Sequence, residues 1–201
     1  MFTGIIEALG KVAAIRRDKS NIHLHITSPV SHELKIDQSV SHNGVCLTVV
    51  AIENDTHVVT AIQETLDKTN LGTLQVGSLV NLERCMPATG RFDGHFVQGH
   101  VDQTGLCTRI ADENGSWRYT FTYDASVGNF TVEKGSIAVN GVSLTVVDSK
   151  IGEFSVAIIP YTYEHTTFHS LRVGDRVNLE FDILGKYIKR IMDLHMPAAA
   201  K

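Results

Sequence analysis

At 201 residues, with 43% apolar and 20% charged residues, the chain has the composition of an ordinary globular protein. Its formal charge of −4 contains no basic block, which argues against nucleic acid and anionic membrane as partners. No apolar stretch approaches the roughly 20 residues that span a bilayer, and no cationic region precedes an apolar run near Met1, so neither a membrane span nor a secretory signal is expected.

In chain order, HLHITS at 23–28 is the first β-rich run, and HELKI at 32–36 reads as a short helix. VCLTVVAI at 45–52 follows an Asn-Gly turn at 43–44, and HVVTAI at 57–62 follows an Asn-Asp turn at 54–55. ETLDKTNL at 64–71 reads as a second short helix, and SLVNLE at 78–83 follows Val-Gly at 76–77. The series then starts again. RYTFTY lies at 118–123, VSLTVVDS at 142–149 after Asn-Gly at 140–141, FSVAII at 154–159, and DRVNLE at 175–180 after Val-Gly at 173–174. Residues 39–83 and 136–180 align without a gap at a constant offset of 97, and roughly two-fifths of the positions are identical. Upstream, Gly4 and Gly10 answer to Gly99 and Gly105 at an offset of 95. The chain is therefore two copies of one domain, expected at 1–95 and 96–182.

Closely spaced strands with short turns predict a small antiparallel barrel in each copy, because closure removes the edges of so small a sheet. The remainder, 183–201, has no counterpart in the first copy. Within FDILGKYIKRIMDLH, Ile183, Tyr187, Ile188 and Ile191 fall at helical spacing, and Leu184 and Leu194 extend the same face. This helix packs either on its own barrel or against the same helix in other subunits.

The strands VCLTVV and VSLTVV carry the first chemical signal. By period-two alternation Val45, Leu47 and Val49 face one way, and Cys46, Thr48 and Val50 the other. Ser143 and Thr145 face as Cys46 and Thr48 do. Such a face is either simply solvated, or a platform of small polar groups beside exposed backbone for a flat heterocycle. GHFVQGHV at 94–101 is the second signal. Read as one strand, it points His95 and His100 to opposite faces, which argues against a metal site. His100 aligns with Ile5, so one copy is apolar where the other can exchange a proton near neutral pH. Cys46 aligns with Ser143, Glu64 with Tyr161, and Cys85 with Asp182. The three cysteines, Cys46, Cys85 and Cys107, have no metal-ligand spacing and read as free thiols of a reducing cytoplasm. No dinucleotide loop, P-loop or nucleophile elbow is present.

Taken in order, MFTGIIE at the start, NGVCLTV at 43–49, GHFVQGHV at 94–101 and NGVSLTV at 140–146 resemble riboflavin synthase of the homotrimeric α-chain type, from residue 1 to about 190. The resemblance implies an all-β fold: a tandem repeat of two similar closed antiparallel six-stranded β-barrels plus a C-terminal α-helix that gathers three subunits, the helix and its tail at 183–201. It implies a transferase that needs no cofactor and no metal. Two molecules of 6,7-dimethyl-8-ribityllumazine exchange a four-carbon unit, giving riboflavin and 5-amino-6-(ribitylamino)uracil. It also raises an association with lumazine synthase.

Carried over by position, Gly4, Ile5, Ile6, Cys46, Leu47 and Thr48 would line the first pocket, with Ile62, Glu64 and Thr65. Gly99, His100, Val101, Lys134, Ser143 and Leu144 would line the second, with Thr145, Ile159, Pro160 and Thr162. Phe2, Ser39, Cys46, His100 and Asp182 match positions associated with activity. His100 is expected to transfer protons, and Cys46 either to add covalently or to hold a water. Each site would lie between the first barrel of one subunit and the second of the next. The rival reading is a non-catalytic lumazine- or flavin-binding protein, a family that shares the barrel duplication.

Overall fold

A computed structural model describes residues 1–195. The first barrel contains β1 (Ala8–Asp18), β2 (Asn21–Thr27), β3 (Ser39–His42), β4 (Val45–Glu53), β5 (Thr56–Ala61) and β6 (Leu79–Arg84). Its strands close antiparallel in the order β1-β2-β5-β4-β3-β6. The second contains β7 (Gln103–Asp112), β8 (Trp117–Thr122), β9 (Ser136–Val139), β10 (Val142–Lys150), β11 (Glu153–Ile158) and β12 (Arg176–Phe181). It closes in the same circuit, β7-β8-β11-β10-β9-β12. The barrel duplication expected from the repeat is therefore the architecture observed.

Strands β1, β3, β7 and β9 escaped the sequence reading. β3 and β9 are only four residues long. Pairing slips between Val12 and Ala14 in β1 and between Cys107 and Arg109 in β7, so a bulge breaks the alternation that marks a strand. The helix expected at 32–36 is only a 3₁₀ turn at Ser31–Glu33. The one expected at 64–71 divides into α1 (Gln63–Lys68) and a 3₁₀ turn at Asn70–Thr73. Its twin, α2 (Pro160–His165), was not expected, because PYTYEH contains poor helix formers. Pro160 opens the helix, where its missing N–H costs nothing.

The first core is aliphatic, with Leu24, Ile26, Val49, Val59 and Leu82 fully enclosed. The second is aromatic, built on Tyr119, Phe121, Phe154 and Phe168. The two Asn-Gly turns have positive φ at both residues, 48° and 81° at Asn43-Gly44 and 46° and 79° at Asn140-Gly141, as a type I′ hairpin requires. They meet at the seam between the barrels, where a Cβ on Gly44 would sit 2.8 Å from the Gly141 nitrogen. Around them a carboxamide lattice locks the seam. Asn81 Nδ2 donates to the Asn140 carbonyl (2.9 Å), and Asn178 Nδ2 to the Asn43 carbonyl (2.8 Å). α3 (Ile183–His195) leaves the end of β12 and is tied back by Lys186 to Asp102 at 2.7 Å. Of the helix and tail expected at 183–201, residues 196–201 lie outside the described residues. Among those described, no helix is long and apolar enough to cross a membrane.

Candidate functional site

The burial of β4 follows the predicted parity. Val45, Leu47 and Val49 are buried in the core, Thr48 is exposed and Cys46 half-buried. Leu47 therefore offers a cleft only its backbone. In the second copy Leu144 packs on the core, Ser143 is half-buried and Thr145 exposed. The β4–β5 pairing, continued past Val49–Val59, puts Ile62 level with Cys46. The same continuation from Val146–Val156 puts Ile159 level with Ser143. Both isoleucines are exposed and lead into the short helices, which bring Glu64 and Thr65 in one copy and Pro160 and Thr162 in the other. Glu64 is exposed and paired with Lys68 at 3.3 Å. Lys134 is an exposed residue at φ 64°, just before β9.

What covers the polar faces differs from the grouping that the resemblance implied. Gly99, not Gly4, lies on Cys46, whose N–H donates to the Gly99 carbonyl at 2.9 Å. Gly4, not Gly99, lies on Ser143, whose N–H donates to the Gly4 carbonyl at 2.7 Å. Correspondingly, Val101 packs against the first barrel's core and Ile6 against the second's. The cause is that each segment crosses the seam before its own barrel begins. The two are joined mid-crossing by an antiparallel bridge, Phe2 N–H to Val97 oxygen (2.8 Å) and Val97 N–H to Phe2 oxygen (3.2 Å). Phe2 is fully buried there. Ser39, Thr48, Ile62, Gly99 and His100 thus cluster about the face that carries Cys46, and Thr145, Gly4, Ile5, Ile159 and His95 about the one that carries Ser143, each the floor of a candidate cleft.

Both crossing glycines are forced. Their φ values are +77° at Gly4 and +81° at Gly99. A Cβ would fall 2.6 Å from the Cβ of Ser143 or of Cys46. Segment 94–101 is consequently not a strand, and the strand parity applied to its histidines does not hold. They separate because they serve different barrels. His95 Nδ1 lies 2.7 Å from the Ser143 hydroxyl, while His100 is exposed beside the Cys46 cleft. Among the described residues no group of three His, Cys, Asp or Glu side chains is arranged to hold a metal ion.

The electrostatics distinguish the clefts. Burial pushes the Cys46 thiol up, against a hydrogen bond with Ser39 that pulls it down, so Cys46 keeps its proton at neutral pH. Cys85 packs beside it with Phe2 and Val97. Burial pushes His95 down, and the charge of Asp182 pulls it back up. Asp182 also caps α3, accepting from the Leu184 N–H at 3.0 Å. Spacing alone offers His95 only as a metal candidate. Its partner stands 48 residues away, beyond the reach of spacing arguments.

A family model described as "Lumazine binding domain" matches the chain twice, at residues 3–85 and 98–182. Riboflavin synthase of Actinobacillus pleuropneumoniae is 42% identical over 199 residues, covering 98% of this chain and 92% of that protein. Riboflavin synthase of Mycobacterium tuberculosis strain H37Rv is 44% identical over 201 residues, covering 96% and 98%. The chain belongs to the riboflavin synthase family. Among solved structures, LumP complexed with riboflavin superposes with a TM-score of 0.83 at 23% identity, over 90% of this chain and 99% of that one. LumP complexed with 6,7-dimethyl-8-(1'-D-ribityl) lumazine gives 0.81 at 22%, with the same coverage. These likenesses show that the fold is shared. The two lumazine-binding matches leave 86–97 between them, the stretch that contains His95 and half of the Phe2–Val97 bridge.

Proposed function

We propose that this chain catalyses the riboflavin synthase reaction, converting two molecules of 6,7-dimethyl-8-ribityllumazine into riboflavin and 5-amino-6-(ribitylamino)uracil. The observation that carries the reading is the doubled but unequal polar strand face, covered in each copy by the other copy's crossing segment. One substrate must serve as both donor and acceptor of four carbons. One cleft offers Cys46 and His100, and the other offers Ser143, Ile5 and His95. The transfer balances between two lumazines without an oxidant. Holding two heterocycles face to face supplies a large entropic advantage.

In this reading His100 moves the proton of a lumazine methyl group. Cys46, protonated at neutral pH, hydrogen-bonds substrate or a water in preference to attacking as a thiolate. Ser143, held by His95, does the same in the second cleft. The active form is a cytoplasmic homotrimer, with each active site assembled from the first barrel of one subunit and the second of the next. Support comes from α3, whose Leu184, Tyr187, Ile188 and Ile191 are all exposed in the single chain. Association with lumazine synthase is compatible with this arrangement.

The test is turnover by protein freed of cofactors and treated with chelator. Two lumazines should disappear for each riboflavin formed. A stable fluorescent lumazine complex without product would instead identify a binding protein.

A further inference from the structure

The last strand of each copy contains the same tetrapeptide, Val-Asn-Leu-Glu, one residue before its end, and spacing gives its glutamates no role. Glu83 on β6 and Glu180 on β12 are 4% and 3% exposed. Each spends its hydrogen bonds on a crossing segment. Glu180 Oε1 accepts from the Gln98 N–H at 2.6 Å, and its Oε2 from the N–H groups of Gly99 and His100, both at 2.9 Å. Glu83 Oε1 accepts from the Thr3 N–H (2.6 Å) and hydroxyl (2.7 Å), and its Oε2 from the Gly4 N–H at 2.9 Å. Burial pushes both carboxyls up, while these donors pull them back down. A buried carboxylate is costly unless its oxygens are bonded, and here consecutive backbone N–H groups converge on each one.

The direction of the reach is informative. Glu180 belongs to the second barrel, yet the segment it holds covers Cys46 of the first. Glu83 belongs to the first barrel, and its segment covers Ser143 of the second. We propose that Glu180 and Glu83 are positioning residues for the reaction assigned above. Glu180 fixes the backbone of His100 at the Cys46 cleft, and Glu83 fixes Gly4 and Ile5 at the Ser143 cleft. The inference rests on that assignment of the reaction. Proton transfer tolerates little misplacement, and a shift of about 1 Å in a reacting group costs about 10²-fold in rate. His100 is held at its own N–H, so play at Glu180 reaches the imidazole directly. Position 5 is isoleucine and moves no proton, so Glu83 acts on how tightly the second cleft holds its lumazine.

The experiment is a double-mutant cycle on the full chain, combining Glu180→Ala with His100→Gln, read as kcat and KM for lumazine. Glu180→Ala should lower kcat by about 10²-fold in the otherwise unchanged chain. In the His100→Gln background it should lower kcat by less than about threefold, because a group acting through His100 has nothing left to position. Glu180→Gln, which retains one acceptor oxygen, should fall between Glu180→Ala and the unsubstituted chain. Glu83→Ala should act on KM. Equal losses in both backgrounds, or a Glu180 effect confined to KM, would overturn the proposal. If Glu180→Ala does not fold, the same cycle run with Glu180→Gln decides by the same criterion. Failure of the unsubstituted chain to turn lumazine over would sink the reaction itself. Turnover with additive losses would sink only the positioning role.

Discussion

At the scale of single residues, Gly99 is the most constrained position beside the Cys46 cleft. Its φ of +81° strains any L side chain, and a Cβ has no room against Cys46. Gly99→Ala should therefore abolish lumazine turnover and lower the melting temperature. Gly77→Ala, at φ +94° with nothing within 4 Å, should cost only the backbone strain, about 1–2 kcal/mol, and leave turnover intact. Melting and rate measurements on the two variants separate strain from collision. Cys46 and His100 form a second pair of tests. On the proposal that the protonated Cys46 thiol acts through hydrogen bonds, Cys46→Ser should retain more activity than Cys46→Ala, since serine aligns there in the second copy. His100→Gln should lower kcat by roughly 10²–10⁴-fold with lumazine affinity largely kept, as for loss of a general acid–base group.

A third residue-scale test concerns a buried histidine pair that the proposed chemistry does not use. His42 Nε2 lies 2.8 Å from His57 Nε2. His42 Nδ1 faces the Val40 carbonyl at 3.1 Å, and His57 Nδ1 faces the Ser31 hydroxyl at 2.8 Å. A carbonyl only accepts, so His42 carries its proton on Nδ1, His57 on Nε2, and Ser31 donates. Both rings are neutral. Burial lowers His42 from 6.5 to about 3, assisted by His57, and burial lowers His57 to about 4. The unfolded chain therefore binds more protons than the folded one between these values and 6.5. Stability is complete above pH 6.5 and is lost as pH falls toward 4 and 3, by up to about 1.4 kcal/mol per pH unit for each histidine. The aligned residues of the second copy are Val139 and Phe154, both buried. The double substitution His42→Val with His57→Phe should flatten this acid limb in urea titrations. Glu83 and Glu180 titrate in both proteins, so the difference isolates the pair.

At the scale of elements, the crossing segments decide what an isolated barrel can do. A fragment of residues 1–95 contains all six strands of the first barrel but lacks Gly99 over Cys46 and Val101 against the core. Extending it to residue 101 should raise both its melting temperature and its affinity for lumazine, read by fluorescence. Equal behaviour of the two fragments would mean that the segment adds nothing to the cleft. The extended fragment should still not catalyse, because the Ser143 cleft is absent. The short helices α1 and α2 occupy the same place after the fifth strand of each barrel. That place was legible for ETLDK, with its good helix formers, and hidden for PYTYEH, whose helix is imposed by its surroundings.

At the scale of the whole molecule, the barrels are locked by Asn43, Asn81, Asn140 and Asn178, while α3 leaves its apolar face uncovered. Deleting residues 186–201 should preserve both barrels and weaken self-association. Turnover should fall with it if each active site needs barrels from two subunits. Sedimentation and rates measured on the same truncated sample check this, and a fully active monomer would refute the intersubunit site.

The sequence by itself determined the duplication, the two barrels, the Asn-Gly hairpins, the polar strand faces around Cys46 and Ser143, and the family. These are periodic or local features, and a repeat displays each of them twice. Only the tertiary structure decided which segment covers which cleft. The exchange of Gly4 and Gly99, the bond from His95 to Ser143, the grip of Glu180 on His100 and the pairing of His42 with His57 all join residues far apart in the chain. Alignment of the copies matches equivalent positions, but the segments before each barrel cross the seam, so Gly4 and Ile6 of the first copy lie on the second barrel and Gly99 and Val101 on the first. That crossing is a property of how two closed barrels share one interface, and no spacing within either copy encodes it.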